Sequence, residues 1–211
     1  TAFGVFQGLR AVSMELWNTA DLAGRRLALQ GVGKVGHALV GHLVEAGAKV
    51  TIADIDVDNI ARAVSDFGVE TTDLDEIHKL DCDIFIPCAL GGVLNDETIP
   101  ELRCAAVAGA ANNQLLSPEH GKLLEDRSIL YAPDFIINAG GLINVADELR
   151  GYDPQRAMAQ VEGIFHTLRK VFQIAKLEKI TTAVAAEHLA EERIRQVGRI
   201  KLIQVGPRDV W

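Results

Sequence analysis

The sequence lacks the features that mark membrane proteins and nucleic-acid-binding proteins. Its 211 residues carry 21 lysines and arginines against 29 aspartates and glutamates, a net charge of -8. This balance disfavours a nucleic-acid surface, because a phosphate backbone is bound by clustered basic residues. No apolar run approaches the roughly 20 residues that cross a bilayer, and no signal-peptide pattern opens the chain. We therefore expect a globular protein that has neither nucleic acid nor membrane as a partner.

Cysteines and familiar catalytic motifs are also scarce. The three cysteines, Cys82, Cys88 and Cys104, form no CxxC pair and leave an odd count, which favours a reducing cytoplasm over a secreted disulfide scaffold. No histidine base stands beside Cys88, so we interpret it as a small packed residue rather than a nucleophile. The sequence contains neither an HExxH motif nor a Ser-His-Asp arrangement. We interpret all six histidines as solvated surface residues: His37, His42, His78, His120, His166 and His188.

What is present is an alternation of short apolar segments with helical ones, the pattern of a parallel α/β sheet. The chain starts without a methionine, so we expect a piece of a longer protein, and Thr1 stands at the N-cap of an opening helix over 1–17. We predict strands at 26–30, 49–53, near 69, 83–87, 105–108 and 129–132. We predict further helices at 34–46, 57–67, 74–80, 99–102, 117–127, from 154, and from about 182 past 195.

These elements predict two regions. Residues 1–150, with the opening helix, are expected to form a Rossmann-type, doubly wound, mostly parallel sheet whose ligands lie beyond the strand carboxyl ends. Residues 151–211 are expected to form C-terminal helices that pack on this domain or on a neighbouring one.

The segment LALQGVGKVGHALVGHLVEAGAKVTIAD is the most informative in the chain. It has the order strand, glycine turn, helix, strand and acid that dinucleotide binding requires. Gly31 allows the tight turn, Gly33 lets the backbone approach a pyrophosphate, and Gly36 lets the helix pack closely on the strand. Lys34 lies within the glycine motif, near the expected pyrophosphate. Its side chain either neutralises the pyrophosphate charge or is solvated. The other interpretation is a glycine-rich turn with a surface aspartate and no ligand.

Asp54 ends the second strand and predicts which dinucleotide is bound. Its carboxylate can accept hydrogen bonds from both hydroxyls of an adenosine ribose, and it would repel a 2′-phosphate. No arginine occurs within 55–60 to receive such a phosphate. The sequence therefore predicts NAD rather than NADP as the cofactor.

Small residues and asparagines follow the later predicted strands, at 87–92, 109–112 and 138–141. In a sheet of this type such turns line the cofactor cleft, where small residues admit a flat ring and asparagine supplies a donor and an acceptor. From spacing alone, each turn could equally be a loop without a ligand.

Several motifs together resemble the cofactor domain of the amino-acid dehydrogenase family of glutamate, leucine, phenylalanine and valine dehydrogenases. They are TAFGVFQGLRA, LQGVGKVG, IADID, CDIFIPCALGG, VAGAANNQL, LYAPDFIINAGGLINVADELRGY and AAEHLAEERI. The resemblance covers nearly the whole chain and is greatest to the leucine-specific members, with the valine-specific ones next. It implies oxidative deamination of an L-amino acid to its 2-oxo acid and ammonia, with hydride passing to NAD.

The resemblance also implies roles for individual residues. Thr1 and Asn112 would hold the nicotinamide end, Asn138 would lie near the reacting substrate, and Asn112 would contact the substrate as well. The remaining residues implied as cofactor contacts, beside the three glycines, Lys34 and Asp54, are Val35, Ile55, Cys88, Ala89 and Ala110.

Leu142 and Val145 match the positions that meet the substrate side chain in this family. Both are apolar, so a glutamate carboxylate would be buried there without a partner, whereas branched aliphatic side chains would fit. Leu142 is bulkier than the valine expected in leucine-specific members, which leaves a preference for valine open. A phenylalanine- or glutamate-type dehydrogenase, or a non-catalytic NAD-binding module, are the alternatives.

The resemblance finally implies an absent part. The family's catalytic lysines and aspartate belong to an N-terminal domain with a GGGK-type segment, and no such segment occurs here. We therefore expect no catalytic residue in this chain, which would bind NAD but need that missing domain for turnover. Family members are commonly oligomers, so a homo-oligomer is expected.

Overall fold

The structure is a computed structural model that describes residues 1–149 and 151–204, with only the backbone of 197–204. Its strands are β1 (Arg26–Gln30), β2 (Lys49–Ala53), β3 (Glu70–Thr71), β4 (Ile84–Pro87), β5 (Ala106–Val107) and β6 (Leu130–Tyr131). Its α-helices are α1 (Ala2–Trp17), α2 (Lys34–Glu45), α3 (Val57–Phe67), α4 (Glu119–Asp126), α5 (Asp134–Ile137), α6 (Gly140–Glu148), α7 (Pro154–Glu178) and α8 (Thr182–Gln204). None of the described helices is long and apolar enough to cross a membrane.

The six strands form one parallel sheet in the order β3-β2-β1-β4-β5-β6. The strand order reverses beside β1, which pairs with β2 on one side and with β4 on the other. The predicted doubly wound α/β class is confirmed. In such sheets the crevice for a ligand opens at the carboxyl ends of the strands that flank the reversal.

Side chains alternate between two hydrophobic clusters, one on each face of the sheet, because successive strand residues point to opposite faces. In β1, Leu27 and Leu29 enter the larger cluster and Ala28 enters the smaller one. The larger cluster also contains residues of α1, α2 and α7, including Leu9 and Phe172, and α1 packs directly on α7. The C-terminal helix α7 is therefore part of the same packed unit as the sheet.

The predicted element boundaries are wrong in several short segments. The predicted helices over 74–80 and 99–102 are single 3₁₀ turns, at Ile77–Lys79 and Ile99–Glu101. The strand expected near Val69 is the two-residue β3, and the strands β5 and β6 are each two residues shorter than predicted. The short helix α5 was not predicted at all.

The start of α4 and the environment of one histidine also differ from the predictions. The helix begins at Glu119, two residues later than predicted, and the backbone N–H of Ser117 before it donates to Nδ1 of His120 at 2.9 Å. His120 is only 4% exposed, so the interpretation of every histidine as solvated is wrong there. Thr1 occupies the N-cap position of α1 as predicted, but its side chain makes no capping hydrogen bond.

Candidate functional site

The turn between β1 and α2 has a conformation that two of its glycines make possible. Gly31 has φ +96°, and a Cβ there would lie 2.8 Å from the Cβ of Ala89. A Cβ on Gly36 would lie 1.9 Å from the carbonyl oxygen of Gly31. Both positions therefore exclude a side chain. Gly31 does so because of its positive φ and its contact with Ala89, and Gly36 does so because the helix lies close against the turn.

The N-terminus of α2 is open to an anion. Gly33 is its N-cap, and a Cβ built there would meet no atom within 4 Å. The first N–H to bond within the helix is that of His37, which donates to the Gly33 carbonyl, so the N–H groups of Lys34, Val35 and Gly36 have no partner within the helix. The first turn contains no acidic residue. This arrangement favours a pyrophosphate.

Asp54 is held rigidly at the end of β2. Its Oδ2 accepts a hydrogen bond from the Val32 N–H at 2.6 Å, and its Oδ1 accepts one from the Asp56 N–H at 2.9 Å. The acid is thus fastened to the glycine turn, 22 residues away in sequence. It lies on the wall of a cleft of about 300 Å³ that also contains Ile55 and Ala89. None of the described residues lining this cleft is a lysine or arginine.

A second, larger cleft of about 710 Å³ lies further along the same edge of the sheet. Within it, the side-chain amide of Asn138 donates to Oδ1 of Asn112 at 2.7 Å and to the Ala110 carbonyl at 3.3 Å. The two asparagines, from different turns, therefore form one polar pair. The cleft is lined by Thr1, Val35, Ala110, Asn112, Asn113, Asp134, Phe135, Asn138, Ala139 and Leu142.

The structure places most of the predicted cofactor residues at these two clefts. Lys34 is exposed and lines neither of them. Cys88 is half-buried below the clefts, and burial raises the pKa of its thiol to about 12. It is therefore a neutral thiol at neutral pH, in agreement with its interpretation as a packing residue.

The two residues predicted to meet a substrate side chain are both exposed in α6. Leu142 is 74% exposed and lines the larger cleft, whereas Val145 is 55% exposed and does not line it. They are three residues apart on one side of the helix. The structure therefore brings only Leu142 to the cleft itself.

Sequence reasoning missed Gln114, which shapes the loop after β5. Its side chain is fully buried, and its Nε2 donates to the carbonyls of Gly109 and Ala111 at 2.9 and 3.0 Å. Its backbone N–H donates to Asp134 at 3.3 Å. Gln114 thus sets the path of the loop that carries Asn112. A polar residue directly after the small-residue turn is the only sequence signal of this role.

The described part of the chain contains no cluster of three or more metal-ligating side chains. What the edge of the sheet offers is an anion site at a helix end, a fixed carboxylate and a polar asparagine pair. Groups of these kinds are suited to binding and orienting a dinucleotide.

Comparison with known proteins identifies the family. The sequence profile described as Glutamate/Leucine/Phenylalanine/Valine dehydrogenase matches residues 55–197. A leucine dehydrogenase of Thermoactinomyces intermedius is 50% identical over 201 residues, which are 95% of this chain and 55% of that protein. A phenylalanine dehydrogenase of the same organism is 50% identical over 205 residues, which are 96% of this chain and 56% of that protein.

Among solved structures, an L-tryptophan dehydrogenase from Nostoc punctiforme superposes with a TM-score of 0.91 and 45% sequence identity. The match covers 94% of this chain and 60% of that one. The chain thus spans little more than half the length of the relatives it matches. The resemblance seen in the sequence is confirmed, and the chain belongs to the glutamate/leucine/phenylalanine/valine dehydrogenase family.

Proposed function

We propose that this chain is the NAD-binding domain of an amino-acid dehydrogenase that oxidatively deaminates leucine, valine and isoleucine to their 2-oxo acids and ammonia. One observation above all supports cofactor binding: the hydrogen bond from the Val32 N–H to Asp54, which fastens the ribose-binding acid to the glycine turn. When bound, NAD accepts the hydride from the α-carbon of the amino acid.

The chain's own residues bind and orient the cofactor. Asp54 receives the adenosine ribose in the smaller cleft, and the free N–H groups of α2 receive the pyrophosphate. The nicotinamide enters the larger cleft, where Asn112 and Asn138 supply amide groups near its carboxamide and the substrate. The small side chain of Ala110 leaves room for the ring.

A second domain completes the site. In this proposal, residues 1–150 are the cofactor domain and 151–211 its C-terminal helices. The activating lysine and the catalytic aspartate come from an N-terminal domain. The whole protein assembles as a homo-oligomer. The wide opening of the larger cleft and the exposure of Leu142 support a surface that another domain covers.

Residues 1–211 alone are expected to show no dehydrogenase activity, because none of the described residues that line the two clefts is a lysine that could activate water. The measurement is NADH formation with L-leucine as substrate, with a protein-free blank. The positive control is NADH binding, measured by NADH fluorescence, which shows that the chain is folded and binds the cofactor. NADH formation above the blank would show that the chain holds its own catalytic groups.

In the longer protein, we expect L-leucine, L-valine and L-isoleucine to be preferred and L-glutamate to be rejected. The apolar side chain of Leu142, which lines the larger cleft, offers no partner to a glutamate carboxylate. Truncation of Leu142 to alanine should shift kcat/KM toward phenylalanine relative to valine by about 10- to 200-fold, the range for small changes in an apolar pocket.

The assay compares kcat/KM for leucine, valine, phenylalanine and glutamate in the wild type, Leu142→Ala and Leu123→Ala. Leu123 is a surface leucine of α4 outside both clefts, so its variant is the matched control. A wild type that prefers glutamate, or an unchanged ranking in Leu142→Ala, would remove Leu142 from the pocket.

A phenylalanine-type enzyme is the second candidate. The phenylalanine dehydrogenase of T. intermedius is as similar to this chain, at 50% identity, as the leucine dehydrogenase of the same organism. The same substrate panel decides between them, since a phenylalanine-type enzyme would prefer phenylalanine before Leu142 is truncated.

A further inference from the structure

Two cysteines meet at the amino ends of β4 and β5, the edge of the sheet opposite the clefts. The backbone register places Cys82 beside Cys104, since the pairings on either side of them have the same offset. These pairings are Asp81 with Arg103 and Ile84 with Ala106, both parallel. Both cysteine side chains also pack on the same hydrophobic cluster. The two thiols therefore face each other on neighbouring segments.

The two thiols differ in environment. Cys82 is 7% exposed, whereas Cys104 is half-buried. A hydrogen bond with Cys104, together with burial, raises the pKa of the Cys82 thiol. The same hydrogen bond lowers the pKa of Cys104, against an opposing effect of burial, so Cys82 is the donor and Cys104 the acceptor of this contact.

Positive charge and backbone groups also favour a thiolate at Cys104. The N–H of Phe85 stabilises the anion, and the guanidinium of Arg127 lies close enough to do so electrostatically. That guanidinium is held in place because it donates to the carbonyl of Ile99 and, at 3.0 Å, to that of Leu102. After the hydrogen bond with Cys104 and burial, the negative charge of Asp83 also raises the pKa of the Cys82 thiol.

We propose that Cys104 and Cys82 form a peroxide-reactive dithiol, in which Cys104 is the attacking thiolate and Cys82 the resolving thiol. Reactive cysteines of this kind are accessible, have a thiolate at neutral pH and lie next to a second thiol. The site depends on neither the cofactor nor the amino-acid substrate.

The reaction has two balanced steps. The Cys104 sulfur attacks one oxygen of hydrogen peroxide, the O–O bond breaks, and the leaving hydroxide takes a proton to become water, which leaves a sulfenic acid. The Cys82 sulfur then attacks the Cys104 sulfur, the S–O bond breaks, and the thiol proton leaves with the hydroxide as a second water. Overall, two thiols are oxidised to one disulfide and one peroxide is reduced to two waters.

The spacing allows this bond. Neighbouring strands lie about 4.8 Å apart, inside the range of about 4.4 to 6.8 Å between the Cα atoms of disulfide-bonded cysteines. Cys88 follows the far end of β4, on the opposite edge of the sheet, so it is not a partner for either thiol.

The first test uses wild-type chain and iodoacetamide. Cys104 should be alkylated at least about tenfold faster than Cys88, whose thiol is protonated at neutral pH. In a separate, unalkylated sample, one equivalent of hydrogen peroxide should remove the mass of two hydrogen atoms and yield a linked peptide pair containing Cys82 and Cys104. Cys88 should remain alkylatable after unfolding.

Variants separate the two roles. After peroxide treatment, Cys82→Ser should carry a sulfenic acid at Cys104 that dimedone traps. Cys104→Ser should lose the peroxide reaction. Cys88→Ala should react as the wild type does. Fastest alkylation at Cys88, oxidation of Cys82 in Cys104→Ser at the wild-type rate, or a disulfide between two molecules instead of within one would each overturn the proposal.

Discussion

Replacement of Asp54 by alanine is expected to weaken NAD binding by about 10- to 150-fold. A hydrogen bond to a charged group contributes about 1.5 to 3 kcal/mol, and each 1.4 kcal/mol is a factor of ten in affinity. The same carboxylate would repel the 2′-phosphate of NADP, so its loss should also raise the affinity for NADP relative to NAD. Wild-type chain should bind NAD in preference to NADP, because no lysine or arginine is among the described residues that line the cleft around Asp54.

Titration of each variant with NADH and NADPH, followed by cofactor fluorescence, measures both effects. Asp56→Ala is the matched control, since Asp56 caps α3 through a hydrogen bond from the Asp58 N–H and lies outside the cleft. It should lose about 1 kcal/mol of stability while its affinity for NADH stays that of the wild type. Equal or tighter binding of NADPH by the wild type would contradict the role given to Asp54.

The sequence predicted the first half of the sheet well because its signals there are local. β1, β2 and α3 have the predicted boundaries, and α2 differs by one residue. Each of these elements is bounded by a glycine or an acid that acts within a few residues, such as the Asp56 cap. Local chemistry of this kind can be read without knowledge of the tertiary structure.

The second half was predicted less accurately because tertiary contacts decide it. The helical pattern over 99–102 contains Pro100, and the segment is only long enough for one turn before β5 begins. Just before α4, the ring of the buried His120 accepts a hydrogen bond from the Ser117 N–H. Helical periodicity carries no information on such a contact.

The candidate site shows the same division. The roles of Gly31 and Gly36 follow from a motif and agree with the backbone geometry. The contacts between Asp54 and Val32 and between Asn112 and Asn138 join residues 22 and 26 positions apart, and no spacing rule predicts them. The asparagines were assigned by family resemblance, and Gln114, which no resemblance pointed to, was missed.

Alanine at Gly36 is expected to destabilise the fold, whereas alanine at Gly33 is expected to affect mainly cofactor binding. The Gly36 Cβ would lie 1.9 Å from a backbone oxygen that cannot move without shifting the turn. Overpacking of this kind costs about 3 kcal/mol, so Tm should fall by about 6 to 12 °C for a chain of this size. The measurement is thermal unfolding followed by circular dichroism.

The Gly33 Cβ would project into open space at the N-terminus of α2, where we place the pyrophosphate. Gly33→Ala should therefore keep its stability within about 1 kcal/mol of the wild type and lose at least about tenfold in NADH affinity, because the methyl group displaces a charged hydrogen-bond acceptor from the helix N–H groups. Each variant adds one methyl group, which meets the Gly31 carbonyl oxygen in Gly36→Ala and no atom within 4 Å in Gly33→Ala. Stability and binding measurements on the two variants therefore separate the packing role from the binding role. Wild-type affinity in Gly33→Ala would place the pyrophosphate elsewhere, and wild-type stability in Gly36→Ala would show that the helix and turn are further apart than the structure has them.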